Sequence, residues 1–292
     1  MKLFDGLEQI VKTGVPLAQY TWYGIGGPAK YFIEPVTFEQ LSTVAKRCRE
    51  NEVPTYVLGR GSNLLVDDAG VNGAVIHLAA GEFGQSTFEG TTIKATAGAD
   101  MGKIVLRCVR EGLTGLECLT GIPGSVGGCV RMNAGGSFGD LGNVVEAVQV
   151  MDEEGEIFTR HRDDLVFGYR STNITSKYIL SVEIHLNEDD PQRILKQVKQ
   201  IWIYKKNTQP LGKRNAGCVF KNPRGLSAGA LIDRAGLKGK RVGGAYVSDK
   251  HANFILVDEG AKASDVMKLV NIIRETVYKK SEVYLELEIE VW

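Results

Sequence analysis

Four kinds of residue in this 292-residue chain could do chemistry, and they lie far apart along it. Arg170 follows Tyr169 in "FGYRST". A guanidinium stays cationic at any ordinary pH and suits carboxylate or phosphate charge. Taken alone, though, a Tyr-Arg pair is more often a surface contact than catalytic. Cys218 stands among small residues in "NAGCVFKNP", with Lys221 and Asn222 close behind. A thiol can give up a proton, but a lone cysteine is more often buried packing. Glu286, Glu288 and Glu290 alternate in "LELEIEVW", so a strand would place all three on one face. Most often such glutamates are merely solvated, and periodicity cannot choose among them. The fourth kind is glycine, with ten between residues 112 and 142 and two more in "VLGRGSNLLV". Without a Cβ, backbone N–H groups can close on a phosphate or a flat ring.

Neither glycine stretch is a standard nucleotide motif. "GRGSN", residues Gly59, Arg60, Gly61, Ser62 and Asn63, runs into Leu64 between two apolar β-type runs. It is no Walker loop, and "GADMGKI" has the wrong spacing and no hydroxyl. The dinucleotide fingerprint fails too, since the third glycine is missing and a strand follows. A tight hairpin is the plain alternative for this loop. "GIPGSVGG" is not a hydrolase elbow, because Pro123 stands where glycine is required before Ser125. Ten glycines exceed the needs of one turn. They point to loops that enclose a nucleotide cofactor without a Rossmann site.

The elements that must position these residues alternate between helix and strand. "TFEQLSTVAKRCREN" puts Phe38, Leu41, Val44, Ala45 and Cys48 on one helical face. "TTIKATAGA" reads as a strand, and "MGKIVLRCVREG" as a helix with Met101, Val105, Cys108 and Val109 inward and Gly112 as C-cap. Residues 144–187 read as strands again. Asp190 and Pro191 mark a helix start, and apolar residues 194, 198 and 201 give that helix one buried stripe. It is expected to join two domains. A short helix in "AGALIDRAGL", a strand in "ANFILVDEG", a long helix in "SDVMKLVNIIRETVYKKS" and a cleanly alternating last strand complete the chain. The class expected is α+β.

Composition narrows the setting. With 35 basic and 35 acidic residues the formal charge is zero, which argues against a general nucleic-acid binder. No apolar run approaches the roughly 18–20 residues of a membrane span, and the N-terminal stretch has no signal-peptide core. A cytoplasmic address is expected. Five cysteines without a C-x-x-C pair argue against a disulfide framework or structural zinc. Four scattered histidines argue against a dedicated metal site. Local cations for anionic nucleotides are available in Arg60, Lys221, Arg224 and Lys250, and His251 in "DKHANFI" could simply cap a turn.

Taken in order, "TWYGIGGPA", "LGRGSNLLV", "GLTGLECLTGIPGSVGGCVRMNAGG", "FGYRST", "NAGCVFKNP", "LIDRAGLKGKRVGGAYVSDKHANFI" and "LELEIEV" resemble the UDP-N-acetylenolpyruvoylglucosamine reductase family. The resemblance runs from about residue 20 to the C-terminus. The short spacing after "FGYRST" looks like the family's compact subtype, which lacks a tyrosine-bearing insertion over the substrate. The resemblance implies a flavin-binding half of the p-cresol methylhydroxylase and vanillyl-alcohol-oxidase type. This would comprise subdomains 1–78 and 79–190. A substrate domain at 191–292 would follow, with a linking helix at 191–206 and a last strand at 283–292. It further implies non-covalent FAD held by Gly59, Arg60, Gly61, Ser62, Asn63, Leu64, Gly121, Ile122, Gly124, Ser125, Gly127, Gly128, Asn133 and Gly135. NADPH would be the hydride donor, and no metal would be needed.

Arg170 and Glu288 match the family's catalytic arginine and glutamate. Cys218 stands where the family commonly has a proton-donating serine. A thiol, with an ordinary pKa of about 8.5, is a far stronger acid than a hydroxyl and can fill that role. Tyr169, Lys221 and Asn222 are candidates for contacting the substrate or the nicotinamide cofactor. The expected reaction reduces an enolpyruvyl ether on UDP-N-acetylglucosamine, in peptidoglycan precursor synthesis, by a monomer. The runner-up is another flavin oxidase or dehydrogenase on the same fold. A nucleotide-sensing or scaffold protein without turnover is the non-enzymatic alternative.

Overall fold

The computed structural model describes residues 3–292. The chain forms two compact units that interleave along the sequence. The first holds the chain up to Gly14, Lys30–Arg60 and Asn72–Tyr204, and the second holds Val15–Ala29, Gly61–Val71 and Lys205–Trp292. Residues 15–29 and 61–71 therefore belong with the C-terminal residues, and the boundary at 60/61 cuts the "GRGSN" loop.

The first unit has two sheets over a continuous apolar core. One sheet orders its strands Val11–Pro16, Pro28–Ile33, Val71–His77 and Thr55–Leu58, the last two parallel. The other is wholly antiparallel: Ile157–His161, Val145–Met151, Tyr178–His185, Thr92–Thr96 and Ser86–Glu89. Helix α1 (Phe38–Glu50) starts because the Thr37 hydroxyl accepts the Gln40 N–H, and it buries Leu41, Val44, Ala45 and Cys48 as the spacing predicts. Helix α2 (Met101–Glu111) is capped by Asp100 and stops at Gly112, whose φ of +70° suits glycine. Helix α3 (Val126–Arg131) is a short piece beginning at Ser125. Helix α4 (Pro191–Thr208) runs two residues past the expected 206 and buries Ile194 and Val198 against Val109 of α2.

In the second unit, α5 (Ala228–Arg234) and α6 (Ala263–Ser281) share a core with a three-stranded antiparallel sheet, Arg241–Val242, Ala245–Val247 and Ile255–Val257. Helix α6 buries Val266, Leu269, Val270, Ile273 and Val277. Burial contributes roughly 1.5–3 kcal/mol for each such side chain. The start of α6 is satisfied from outside the helix: the two Asp68 carboxylate oxygens accept Ala263 N–H at 2.7 Å and Ser264 N–H at 3.0 Å.

The last strand departs from expectation. Regular pairing covers only Glu290–Val291, parallel to Leu64–Leu65, while Leu287 makes a single bridge to Phe220. The segment changes partners midway. Glu286 and Glu288 bond to the main chain of Lys221 and Val219, whereas Glu290 and Trp292 bond to Asn63 and Leu65. Two short ladders replace one, although Leu285 and Ile289 still point into the core.

Candidate active site

In the first unit, Arg170 sits on a two-residue hairpin. Phe167 pairs with Thr172 and Gly168 with Ser171, leaving Tyr169 and Arg170 as the turn. Arg170 has φ +52°, a left-handed conformation that costs a non-glycine residue about 1–2 kcal/mol. The loop 133–142 holds this hairpin. The Arg170 guanidinium donates to Gly135 O at 3.0 Å and lies 5.2 Å from the Tyr169 ring centre. Tyr169 itself is exposed.

Asn133, only 3% exposed, donates from Nδ2 to Gly168 O at 2.9 Å and accepts Gly142 N–H on Oδ1 at 2.8 Å. Beside it, the Arg131 guanidinium reaches the main-chain carbonyls of Ile174, Ser176 and Lys177, and burial lowers its pKa from the usual guanidinium value.

The glycines of this unit fall into two groups. Several are required by the protein's own packing. A Cβ at Gly59 would strike Ser125 Oγ, one at Gly142 would enter the Phe167 ring, and one at Gly135 would collide with Gly139 O. At Gly127 it would lie 2.9 Å from the Ala97 methyl, and at Gly124 it would lie 2.9 Å from Cys129 Sγ. The other group faces outward. Gly121 is exposed with φ +69°, Gly128 is exposed, and a Cβ at Gly136 would meet nothing within 4 Å. Bare main chain at Gly128, beside the Gly59–Ser125 contact, suits a flat ring or a phosphate, and Gly136 is open in its own loop.

Asp100 ties this region together: it pairs with Arg60 at 2.9 Å, caps α2, and bridges to Ser125 through the main chain. Ser125 is 3% exposed and caps α3 by accepting Gly128 N–H. Ile122 packs, partly buried, against the core.

In the second unit, Cys218 and Glu288 lie on adjacent segments. Glu288 N–H donates to Val219 O at 2.8 Å, and Lys221 N–H to Glu286 O at 2.9 Å. Asn253, 3% exposed, clamps the cysteine segment. Its Oδ1 accepts Phe220 N–H at 3.0 Å, its Nδ2 donates to Phe220 O at 2.8 Å, and its carbonyl accepts Val219 N–H. Asn63 Nδ2 donates to Glu288 O at 3.0 Å. Gly61 lacks room for a Cβ against Tyr20 O, Ser62 is half-buried, and Leu64 is 5% exposed within its short strand.

Burial separates the three glutamates that spacing could not. Glu286 is exposed and pairs loosely with Lys221 at 3.7 Å, Glu290 is exposed, and Glu288 is half-buried. It also separates the thiols. Burial pushes Cys48 up to about 11, and Cys108 and Cys129 up to about 12, while Cys218 alone among the five is not buried.

Asn222 is exposed, and its Oδ1 accepts Ala228 N–H. Arg224 is exposed, and Lys250 Nζ donates to Lys206 O. His251 accepts Asn253 N–H on Nδ1, and burial lowers its pKa. Asn253, Asp100 and Arg131 carry no sequence signal of their own. Each is an ordinary polar residue beside a glycine-rich or β-type run, and only its partners reveal its work.

Open glycine main chain and a cationic hairpin, with no Rossmann motif, leave room for a nucleotide cofactor, and comparison with known proteins makes the class a flavin-binding oxidoreductase. The profile of an FAD binding domain matches residues 29–160. A second profile, UDP-N-acetylenolpyruvoylglucosamine reductase, C-terminal domain, matches residues 209–292. The enzyme of that name from Carboxydothermus hydrogenoformans is 42% identical over 278 residues, 94% of this chain and 92% of its own. That from Moorella thermoacetica is 40% identical over 292 residues, 100% of this chain and 96% of its own. The crystal structure of UDP-N-acetylenolpyruvylglucosamine reductase from Thermus caldophilus superposes with a TM-score of 0.85 at 42% identity, covering 97% of this chain and 98% of that one. The chain belongs to the UDP-N-acetylenolpyruvoylglucosamine reductase family, as an FAD-dependent oxidoreductase of α+β fold.

Proposed function

We propose that this chain reduces the enolpyruvyl ether of UDP-N-acetylglucosamine to the lactyl ether of UDP-N-acetylmuramate, in peptidoglycan precursor synthesis. It would act in the cytoplasm as a monomer, with no nucleic-acid or membrane partner. Among the described residues no helix is long and apolar enough to cross a membrane.

Residues Gly59–Leu64, Gly121, Ile122, Gly124, Ser125, Gly127, Gly128 and Gly135 form or support the cofactor's binding loops, whereas the expected cofactor contact at Asn133 is not proposed for its side chain, which is committed to Gly168 and Gly142. When bound there, FAD would supply hydride-transfer chemistry, with NADPH as the hydride source and C3 of the enol ether as the acceptor. The double bond is thereby reduced, and negative charge develops on C2 and its carboxylate. Arg170 stabilises that charge with a cation that cannot deprotonate. Cys218 gives its proton to C2, leaving a thiolate that is reprotonated from solvent. Glu288 holds the hydrogen bonding around the same carboxylate. Tyr169, Lys221 and Asn222 contact the nucleotide part of the substrate or the nicotinamide donor.

The observation that carries this reading is the family membership over nearly the whole chain, and the bond from Glu288 N–H to Val219 O keeps the cysteine and glutamate segments adjacent. The test is anaerobic: reduce the yellow protein with NADPH, remove NADP⁺, and add the enolpyruvyl nucleotide. Reoxidation with a product two hydrogens heavier is expected. Persistent reduced flavin would end the proposal, and rapid oxygen consumption with a simple sugar would favour an oxidase.

A further inference from the structure

Asn133 belongs, in sequence, to a loop that reads as cofactor-binding, yet its side chain faces the protein. Both ends of the buried amide are bound to main chain: Nδ2 to Gly168 O and Oδ1 to Gly142 N–H. Gly168 pairs with Ser171 immediately outside the Tyr169–Arg170 turn. The same loop touches the hairpin at two further points. Gly135 O accepts from the Arg170 guanidinium, and Gly142 has no Cβ because the Phe167 ring fills that space. The two-residue strands on either side of the turn are too short to fix it alone.

Asn133 has φ +42°, a conformation asparagine and glycine tolerate better than other residues. An isosteric aspartate would still accept Gly142 N–H, but it would set a carboxylate against Gly168 O with no proton to donate. Alanine would leave both main-chain groups buried and unsatisfied. We infer that Asn133 is a positioning residue for the reduction step: its amide locks the hairpin so that the Arg170 guanidinium is already in place when charge develops on the substrate. The inference rests on the role proposed above for Arg170. A displacement of about 1 Å can lower a rate by about 10²-fold.

The experiment separates the two half-reactions of the FAD-loaded enzyme by anaerobic stopped flow, using Asn133→Gly, Asn133→Asp, Arg170→Ala and the Asn133→Gly/Arg170→Ala pair. Glycine suits the backbone at 133 and removes the amide; aspartate keeps its shape. Flavin reduction by NADPH is expected to stay within about threefold of wild type in both Asn133 variants. Reoxidation by the enolpyruvyl nucleotide is expected to slow about 10–100-fold. Removing Arg170 should then cost clearly less in the Asn133→Gly background than in wild type, because a misplaced guanidinium has already lost part of its effect.

Wild-type reoxidation in Asn133→Gly beside a slow Arg170→Ala would overturn the positioning role alone. So would losses that multiply independently, or an equal fall in both half-reactions in each variant. Wild-type reoxidation in Arg170→Ala would overturn the proposed role of Arg170 itself, and the positioning claim with it.

Discussion

The two units carry their proposed reacting groups in opposite ways. In the first, Arg170 stands on a two-residue turn whose neighbours are fixed by one asparagine amide and one carbonyl. In the second, Cys218 and Glu288 lie on extended segments joined by main-chain bonds, with Asn253 and Asn63 fastened alongside. A turn presents a long cation outward but has little ladder to hold it. Paired extended segments hold their own main chain and need a clamp only where the pairing is interrupted. Loss of a clamp should therefore slow catalysis in the first unit and weaken folding in the second.

The sharpest way to break this contrast is at the reacting groups. Cys218→Ala should leave flavin reduction by NADPH near wild type and slow reoxidation by substrate about 10²–10⁴-fold, read by stopped flow. If both half-reactions survive, the proton comes from elsewhere. Arg170→Ala should slow the same step about 10²–10³-fold while the flavin absorbance spectrum stays that of bound cofactor.

At the clamps the expected effects shift from rate to stability. Asn253→Ala leaves the Phe220 N–H and C=O unsatisfied, and urea unfolding should show a loss of about 2–4 kcal/mol. A fully stable Asn253→Ala would show that the segment pairing alone suffices.

The smallest effect belongs to the cap of α6. Desolvation raises the Asp68 pKa, but bonds from Ser264 and Ala263 outweigh it, and the carboxyl titrates below its ordinary value. A depressed folded pKa means stability that is present above the unfolded value of about 3.9 and fades as pH falls through the folded one. Asp68→Asn should cost about 0.5–1 kcal/mol at pH 7, and the difference from wild type should shrink under acid. A difference that persists unchanged at low pH would assign the cap's worth to geometry rather than charge.

Much of the fold was legible because its signals are local. The apolar face of α1, the Gly112 stop of α2, and the Asp190-Pro191 start of α4 each lie within a few residues. The last strand misled because alternation reports which side chains point inward and says nothing about which main chain pairs where. The glycines carry two demands that the sequence does not separate. Gly59, Gly127, Gly135 and Gly142 have close protein neighbours where a Cβ would stand, whereas Gly136 has none within 4 Å.

By itself the sequence determined the α+β class, the flavin-binding family and the identities of Arg170, Cys218 and Glu288 as candidates, since ordered motifs and residue chemistry survive without coordinates. Tertiary structure alone decided that Glu288 is half-buried while Glu286 and Glu290 are exposed, and that residues 15–29 and 61–71 join the C-terminal unit. It also decided that Asn63, Asn133 and Asn253 bind main chain. An amide's role depends on which distant carbonyl folding brings to it, and no spacing along the chain encodes that partner.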